Sequence, residues 1–107
     1  MVPALVAGLG GIWTEALDDV AVIPLPATPE RVARALESLR GSGLLSGARG
    51  QAPVAFDALC RLASRAGQVL LDRGYVLLEL NPVVVSSREA VALDALARER
   101  RGSGFTT

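Results

Sequence analysis

Apolar and polar residues alternate near the start of the chain in a way that predicts short strands. An apolar run over residues 3–7 ends at the glycine-rich stretch Gly8 to Gly11, and residues 12–16 form a second run of mixed character. Residues 20–25 form a third apolar run after a polar turn. Runs of this length bounded by Gly and Asp are typical of strands joined by tight turns.

The pattern then changes to the helical period. Thr28 is a good N-cap and Pro29 suits the first helical position, so a helix is predicted to begin there. Its buried stripe is predicted to be Val32, Leu36 and Leu39. A second helix is predicted over about residues 54–72, with its buried stripe formed by large and small apolar residues: Leu59, Leu62, Ala66, Val69 and Leu70.

Strand composition returns over residues 77–80, 83–85 and 91–94, and residues 86–89 have the composition and length of a hairpin turn. If the turn pairs Val85 with Ala90, the antiparallel register brings Asn81 opposite Asp94. Side chains alternate along a strand, so Glu79 and Asn81 share one face. Cross-strand neighbours lie about 5 Å apart, so Asp94 joins them. Three oxygen donors on one face suit Mg²⁺.

An ordinary structural explanation exists for the same residues. Polar side chains on the outer face of an antiparallel sheet are common, and Asn-Pro often ends a strand. A slip of one residue in the register would also move Asp94 to the other face.

The order of strands, two helices and strands predicts an α+β fold, with a mostly antiparallel sheet and both helices packed on one face. The 107 residues suffice for one domain, which we assign to residues 1–97, followed by a polar, disordered tail over residues 98–107.

Composition excludes several kinds of function. The chain contains neither histidine nor lysine, since all 11 basic residues are arginine, and they balance 11 acidic residues. Hydrolase schemes that need histidine and the P-loop lysine are therefore absent from this sequence. A net charge of zero gives no reason to expect binding to nucleic acid or to a membrane surface, and no apolar run is long enough to cross a bilayer. We expect a cytoplasmic protein.

Two further segments are candidates for binding an anion. The backbone N–H groups of Gly10 and Gly11 could contact a phosphate, although on this feature alone a hairpin turn that needs positive φ is the favoured explanation. Glu15 in the next run is a site candidate or a solvated surface residue. Arg49, between Gly47 and Gly50, could bind a phosphate through its planar guanidinium or could lie exposed in a loop.

Taken together, four segments resemble one known family. They are AGLGGIWTEALDDVAVIPLP, GLLSGARGQAP, LELNPVVV and AVALDALA. They resemble the C-terminal half of the ATP-grasp domain of nucleoside-diphosphate-forming acyl-CoA synthetases, which include ADP-forming acetate–CoA ligases and are related to succinyl-CoA synthetase. The resemblance extends from about Pro3 to Ala97.

The resemblance implies a function in which ATP exchanges a phosphoryl group with an acyl phosphate through a phosphohistidine. It implies that Glu79, Asn81 and Asp94 hold Mg²⁺ on the phosphates of ATP or ADP. It also implies that four residues lie near the nucleotide: Gly10, Gly11, Glu15 and Arg49.

The same resemblance implies partners, because the N-terminal ATP-grasp half and the CoA-ligase domain or subunit are absent from this sequence. We therefore expect part of an acid–CoA ligase that is inactive alone. The alternative is a non-catalytic regulatory or interaction module derived from that domain, for example fused to or associated with an acyltransferase, with a homodimer as one form.

Overall fold

The computed structural model of the chain describes residues 3–8, 20–39 and 55–100. Within these ranges it contains two helices and six strands. The helices are α1 (Pro29–Glu37) and α2 (Phe56–Arg73). The strands are β1 (Ala4–Gly8), β2 (Val20–Pro24), β3 (Tyr75–Leu80), β4 (Val83–Val85), β5 (Ala90–Ala92) and β6 (Ala95–Glu99). The predicted α+β class with antiparallel strands is confirmed. The predicted strand over residues 12–16 lies outside the described residues.

The hydrophobic core lies between the first strand pair and the two helices. Strands β1 and β2 pair antiparallel, with Val6 opposite Val22. Along β2, Ala21 and Ile23 are buried while the alternate residues are exposed, as expected for a strand with one face against a core. The buried residues pack together as one cluster: Ala21, Ile23, Ala27, Val32, Leu36, Leu39 and Cys60.

Helix α1 begins where the sequence predicts it. The side chain of Thr28 accepts a hydrogen bond of 3.2 Å from the backbone N–H of Arg31, and Pro29 occupies the first turn. The guanidinium of Arg31 donates to the carbonyl of Pro26 over 2.8 Å, which ties the helix to the loop after β2. The predicted stripe of Val32, Leu36 and Leu39 is buried, as expected.

The buried stripe of helix α2 is centred about one position from the predicted one, although Leu59 of that prediction packs against the core. Cys60 and Gly67 are its buried residues, whereas Val69 is 38% exposed. The hydroxyl of Ser64 donates to the carbonyl of Ala27 over 2.6 Å, and a Cβ at Gly67 would lie 2.5 Å from Leu25 Cδ2. Small residues on this face therefore let the helix approach the segment after β2. The buried residues Cys60 and Gly67 each lie one position after a residue of the predicted stripe.

Residues 75–99 form one hairpin, which we call the terminal hairpin. Its register is the same from Leu77 opposite Arg98 to Val85 opposite Ala90. The turn is closed by Ser86, whose N–H donates to the carbonyl of Glu89 over 2.9 Å and whose hydroxyl accepts from the N–H of Glu89 over 3.1 Å. The predicted pairing of Val85 with Ala90 is confirmed.

Two boundaries of this hairpin differ from the prediction. The strand predicted over residues 91–94 is wrong in extent, because β5 ends at Ala92 and β6 begins at Ala95. Strand β6 then continues to Glu99, two residues into the predicted polar tail, because Arg98 pairs with Leu77 and Glu99 with Tyr75. Residues 101–107 of that tail lie outside the described residues.

Neither described helix combines the length and the apolar composition that crossing a bilayer requires.

Candidate metal site

The three predicted metal ligands lie near the middle of the terminal hairpin, where β3 and β6 give way to β4 and β5. Glu79 and Asn81 are exposed, while Leu78 and Leu80 between and beside them are partly buried. This alternation is what a strand with one covered face produces. Glu79 in β3 and Asn81 just after it therefore lie on the same, uncovered side of the terminal hairpin, as the sequence predicts.

The backbone places Asp94 directly across from Asn81. The N–H of Asn81 donates to the carbonyl of Asp94 over 3.2 Å, and the N–H of Leu93 donates to the carbonyl of Pro82 over 3.0 Å. These two bonds continue the register of the flanking strand pairs across residues that belong to neither pair. Asn81 and Asp94 are therefore cross-strand neighbours, the position in which their side chains can meet on one side of the hairpin.

The side chain of Asp94 is oriented by its own backbone. Its Oδ1 atom accepts a hydrogen bond of 2.9 Å from the N–H of Ala95. A carboxylate with one oxygen held in this way has a restricted rotamer, so less conformational entropy is lost when the side chain binds a ligand. The residue itself is exposed.

The exposed side of the hairpin changes at the step from Asn81 to Pro82. Before it, the partly buried residues are Leu78 and Leu80; after it, they are Val83 and Val85, although strict alternation would have made these two exposed. Both Asn81 and Pro82 are exposed, so this is where the covered face of the strand changes. The candidate ligands consequently lie beside an irregular backbone segment rather than in a continuous ladder.

The chemistry of these three side chains fits a hard divalent cation. Two carboxylates and one carboxamide supply oxygen donors, which Mg²⁺ prefers, and Mg²⁺ commonly keeps water and substrate phosphates as its remaining ligands. Among the described residues no group of three or more His, Cys, Asp and Glu side chains could hold a metal. Any metal bound at this hairpin would therefore depend on the carboxamide of Asn81 or on a ligand from elsewhere.

The other predicted site residues, Gly10, Gly11, Glu15 and Arg49, lie outside the described residues. Their proximity to Glu79, Asn81 and Asp94 stays a prediction from the sequence.

A second polar feature was not predicted from the sequence. The N–H of Ala55 donates to the carbonyl of Ser86 over 2.7 Å, so the hairpin turn lies against the start of α2. An open cleft of about 370 Å³ lies beside this contact, lined in part by Arg61 and Arg88. These arginines are distant in sequence and only the packing of the turn on the helix brings them together, which is why no sequence pattern indicated the cleft.

The chain was compared with known families, with curated proteins and with solved structures. A family model described as an ATP-grasp domain matches residues 2–98. The acetate–CoA ligase (ADP-forming) I subunit beta of Pyrococcus furiosus is 33% identical over 94 residues, which cover 87% of this chain and 40% of that subunit. The 4-hydroxybutyrate–CoA ligase (ADP-forming) of Nitrosopumilus maritimus is 31% identical over 87 residues, which cover 80% of this chain and 12% of that protein.

Among solved structures, the dinucleotide-forming acetyl-coenzyme A synthetase 1 of Ca. Korarchaeum cryptofilum matches with a TM-score of 0.84 at 27% identity. The match covers 92% of this chain and 46% of that one. That structure is a complex with coenzyme A and Mg-AMPPCP, with its phosphohistidine segment pointing towards the nucleotide binding site. The chain thus spans less than half the length of each of these three proteins.

Proposed function

Because the chain belongs to the ATP-grasp domain family, in the branch found in ADP-forming acyl-CoA synthetases, we propose that it forms the Mg-nucleotide-binding part of such a synthetase in the cytoplasm. Its function there is to support phosphoryl transfer between ATP and a phosphohistidine or acyl phosphate during acyl-CoA formation. The observation that supports this most directly is the pairing of Asn81 with Asp94 beside Glu79, in a chain that matches the family over residues 2–98.

In this proposal Glu79, Asn81 and Asp94 bind Mg²⁺ together with the nucleotide phosphates. The ion would neutralise phosphate charge, which accounts for much of the catalysis of phosphoryl transfer. The chain supplies the orientation of the ligands. The backbone bond between Asn81 and Asp94 fixes the spacing of two of them, and the N–H of Ala95 fixes the rotamer of the Asp94 carboxylate.

The nucleotide itself would be bound in part by the residues of two glycine-containing segments. We assign Gly10 and Gly11 to the surroundings of the phosphates, because backbone N–H groups of a glycine turn suit an anion. We assign Glu15 to the nucleotide site from the family resemblance alone. We assign Arg49 to a phosphate or carboxylate contact, because its guanidinium can donate two parallel hydrogen bonds.

Other parts of the reaction must come from outside this chain. Its sequence contains neither a histidine to be phosphorylated nor a lysine to bind phosphate. The proposal therefore requires the other half of the ATP-grasp domain and a CoA-ligase domain or subunit, and it predicts that the chain alone does not form acyl-CoA. The length of the relatives is consistent with this, since the chain spans 40% of the Pyrococcus subunit.

The test is a backbone NMR titration of the chain with MgADP. We expect metal-dependent shifts at Glu79, Asn81 and Asp94, and loss of those shifts in Asp94→Ala. Glu99→Ala is the matched control, because Glu99 is an exposed carboxylate on the same hairpin. Shifts that persist unchanged in Asp94→Ala, or that are spread over the whole chain, would contradict the proposed site.

A second function is supported by the large apolar side chains that the strands expose, among them Val22, Leu93 and Leu96. An exposed apolar surface of this kind is typical of an interaction module that binds a partner or a second copy. Light scattering, which measures the oligomeric state, distinguishes the two functions when it is combined with the MgADP titration. A stable dimer that shows no response to MgADP favours the non-catalytic module.

A further inference from the structure

Strand β6 carries an arginine on the same side of the terminal hairpin as the candidate metal ligands. The register pairs Glu79 with Leu96, and Arg98 is two residues further along β6. Residues directly opposite each other in an antiparallel pair share a face, and so do alternate residues of one strand. Arg98 therefore lies on the same side as Glu79, and it is exposed. The next cross-strand pair on this side is Asn81 with Asp94.

The spacing on this side allows Arg98 and the metal to contact one phosphate. Glu79 and Arg98 are diagonal neighbours, which in an antiparallel pair lie about 7–8 Å apart and within reach of long side chains. An Mg²⁺ ion and a guanidinium that bind oxygens of one phosphate are about 5–7 Å apart, given Mg–O distances of about 2.1 Å and N–H···O distances of about 2.8 Å. The two separations match, so a phosphate bound to an ion at Glu79 can also accept hydrogen bonds from Arg98.

The charge of the proposed site favours a cation at this position. The carboxylates of Glu79 and Asp94 together neutralise one Mg²⁺, so the nucleotide phosphates add negative charge that these groups do not balance. The chain contains no lysine, so any balancing charge from this chain must come from arginine. Among the arginines that the structure describes, Arg98 alone belongs to a strand, and a guanidinium can donate two parallel hydrogen bonds to a phosphate.

An ordinary structural explanation exists for the same arginine. Among the described strands β6 pairs only with β3, and charged side chains on such an edge strand protect it from association with another chain. A surface ion pair between Arg98 and Glu79 is a second explanation, and such pairs contribute little to stability. Neither explanation predicts that Arg98 strengthens the binding of a nucleotide, so affinity for a nucleotide distinguishes them from a phosphate contact.

We propose that the guanidinium of Arg98 binds a phosphate of the nucleotide whose Mg²⁺ is held by the three candidate ligands. The proposal deepens the proposed function and rests on it, since it adds to the metal ligands a residue that binds phosphate directly. The sequence pattern assigned Arg98 to the polar tail, and only the pairing of β6 with β3 places it on the side of the site.

The test extends the NMR titration of the chain to two ligands, MgADP and Mg²⁺ alone. The change is Arg98→Gln, which removes the charge and keeps a polar side chain. The matched control is Arg88→Gln, because Arg88 is an exposed arginine in the turn of the same hairpin. The dissociation constant of each ligand is taken from the shifts of the three candidate metal ligands.

We expect Arg98→Gln to raise the dissociation constant of MgADP about tenfold, because hydrogen bonds between charged groups are lost. It should not raise the dissociation constant of Mg²⁺ alone, whereas a variant with a damaged hairpin would bind both ligands more weakly. Arg88→Gln should change neither constant. An unchanged or lowered constant for MgADP in Arg98→Gln would overturn the proposal. So would equal weakening of MgADP and Mg²⁺, or equal effects of the two arginine substitutions.

The same titration separates this proposal from the proposed function. Shifts that Asp94→Ala abolishes but that keep their midpoint in Arg98→Gln would support the metal site and overturn the phosphate contact. A chain that does not respond to MgADP at all would contradict the metal site and, with it, the phosphate contact.

Discussion

Asn81 and Asp94 are held together by their backbones, with the N–H of Asn81 donating to the carbonyl of Asp94 over 3.2 Å. The bond lies between two strand pairs that keep one register, from Leu77 opposite Arg98 to Val85 opposite Ala90. Because the main chain makes this contact, either side chain can be replaced without removing it. The two candidate ligands can therefore be tested by substitution with little expected loss of structure.

The first prediction concerns the charge of Asp94. In the unsubstituted chain, Asp94 Oδ1 accepts a hydrogen bond of 2.9 Å from the N–H of Ala95. Asp94→Asn keeps an oxygen that can accept this bond, but it removes one negative charge from the site. The test uses a joined chain, in which this sequence replaces the 94-residue match in the Pyrococcus furiosus subunit beta. We expect MgADP to bind more than about tenfold more weakly to this variant of the joined chain, as measured by isothermal titration calorimetry, because Mg²⁺ prefers anionic oxygen ligands.

The control for this prediction is Glu99→Gln, which removes the charge of another exposed carboxylate on the terminal hairpin. Its affinity for MgADP should equal that of the unsubstituted joined chain. If Asp94→Asn binds MgADP as tightly as Glu99→Gln, Asp94 is not a metal ligand.

The second prediction compares two valines in the same part of the fold. Val32 on α1 is 0% exposed and belongs to the core, whereas Val22 on β2 is 62% exposed. Val32→Ala should lower the free energy of unfolding by about 2–3 kcal/mol, because it leaves a cavity in a closely packed region. Val22→Ala should change it by less than about 1 kcal/mol in the isolated chain, because an exposed strand residue contributes mainly its strand propensity.

Urea unfolding of the two alanine variants measures both values. Equal losses would mean that Val22 is buried in solution, or that the core around Val32 collapses to fill the cavity. The first result would contradict the exposure described for Val22 on the first strand pair.

The sequence predicted the elements of this fold well where local rules decide them. Thr28 and Pro29 indicated the start of α1 because a helix needs a side chain that satisfies its first N–H groups. The stripe of Val32, Leu36 and Leu39 was confirmed because a short amphipathic helix buries its largest apolar side chains. The register of the terminal hairpin followed from a turn of fixed length closed by Ser86.

The sequence was less informative where packing between distant elements decides. On α2 the larger residues predicted a stripe through Val69, but the helix buries Cys60 and Gly67 because small residues permit a close approach to Leu25. The change of covered face at Pro82 was not visible either, since residues on both sides have the same apolar composition. The register that places Asn81 opposite Asp94 was predicted, because turn length decides it. The roles of Glu79, Asn81 and Asp94 as metal ligands stay a prediction, because they depend on a metal and a nucleotide.

The third prediction concerns the close approach of α2 to Leu25. A Cβ at Gly67 would lie 2.5 Å from Leu25 Cδ2, so Gly67→Ala requires the leucine side chain to move. Alanine is otherwise favoured over glycine inside a helix by about 1 kcal/mol. We therefore expect Gly67→Ala to be more favourable in a Leu25→Ala background than in the unsubstituted chain, by about 1 kcal/mol or more.

A thermodynamic cycle gives this difference in the free energy of unfolding directly. Its four proteins are the unsubstituted chain, Gly67→Ala, Leu25→Ala and the double variant, each unfolded in urea. The helix also ends at Gly74, where φ is +66° and a Cβ would meet no described residue within 4 Å apart from its own chain neighbours. Gly74→Ala therefore serves as a control for a purely conformational cost. The effect of Gly74→Ala should be the same in both Leu25 backgrounds. If Gly67→Ala has the same effect in both Leu25 backgrounds, the Leu25 side chain does not oppose a Cβ at Gly67, which contradicts this prediction.

The fourth prediction concerns the pH dependence of stability at Cys60, which is 2% exposed and lies at the centre of the core. Burial, and then the nearby carboxylates of Asp57 and Glu37, raise the pKa of its thiol above the ordinary value of 9.0. Above that pH the unfolded chain loses the thiol proton while the folded chain keeps it. The stability that the folded chain gains from keeping this thiol neutral is therefore complete below pH 9.0, and it is lost as the pH rises through the folded pKa.

Between about pH 7.5 and about pH 10 the free energy of unfolding should fall more for the unsubstituted chain than for Cys60→Ala, which has no thiol to titrate. Urea unfolding under reducing conditions at the two pH values measures the difference. Equal losses in the two proteins would mean that the thiol titrates alike in the folded and unfolded chains, which contradicts its burial.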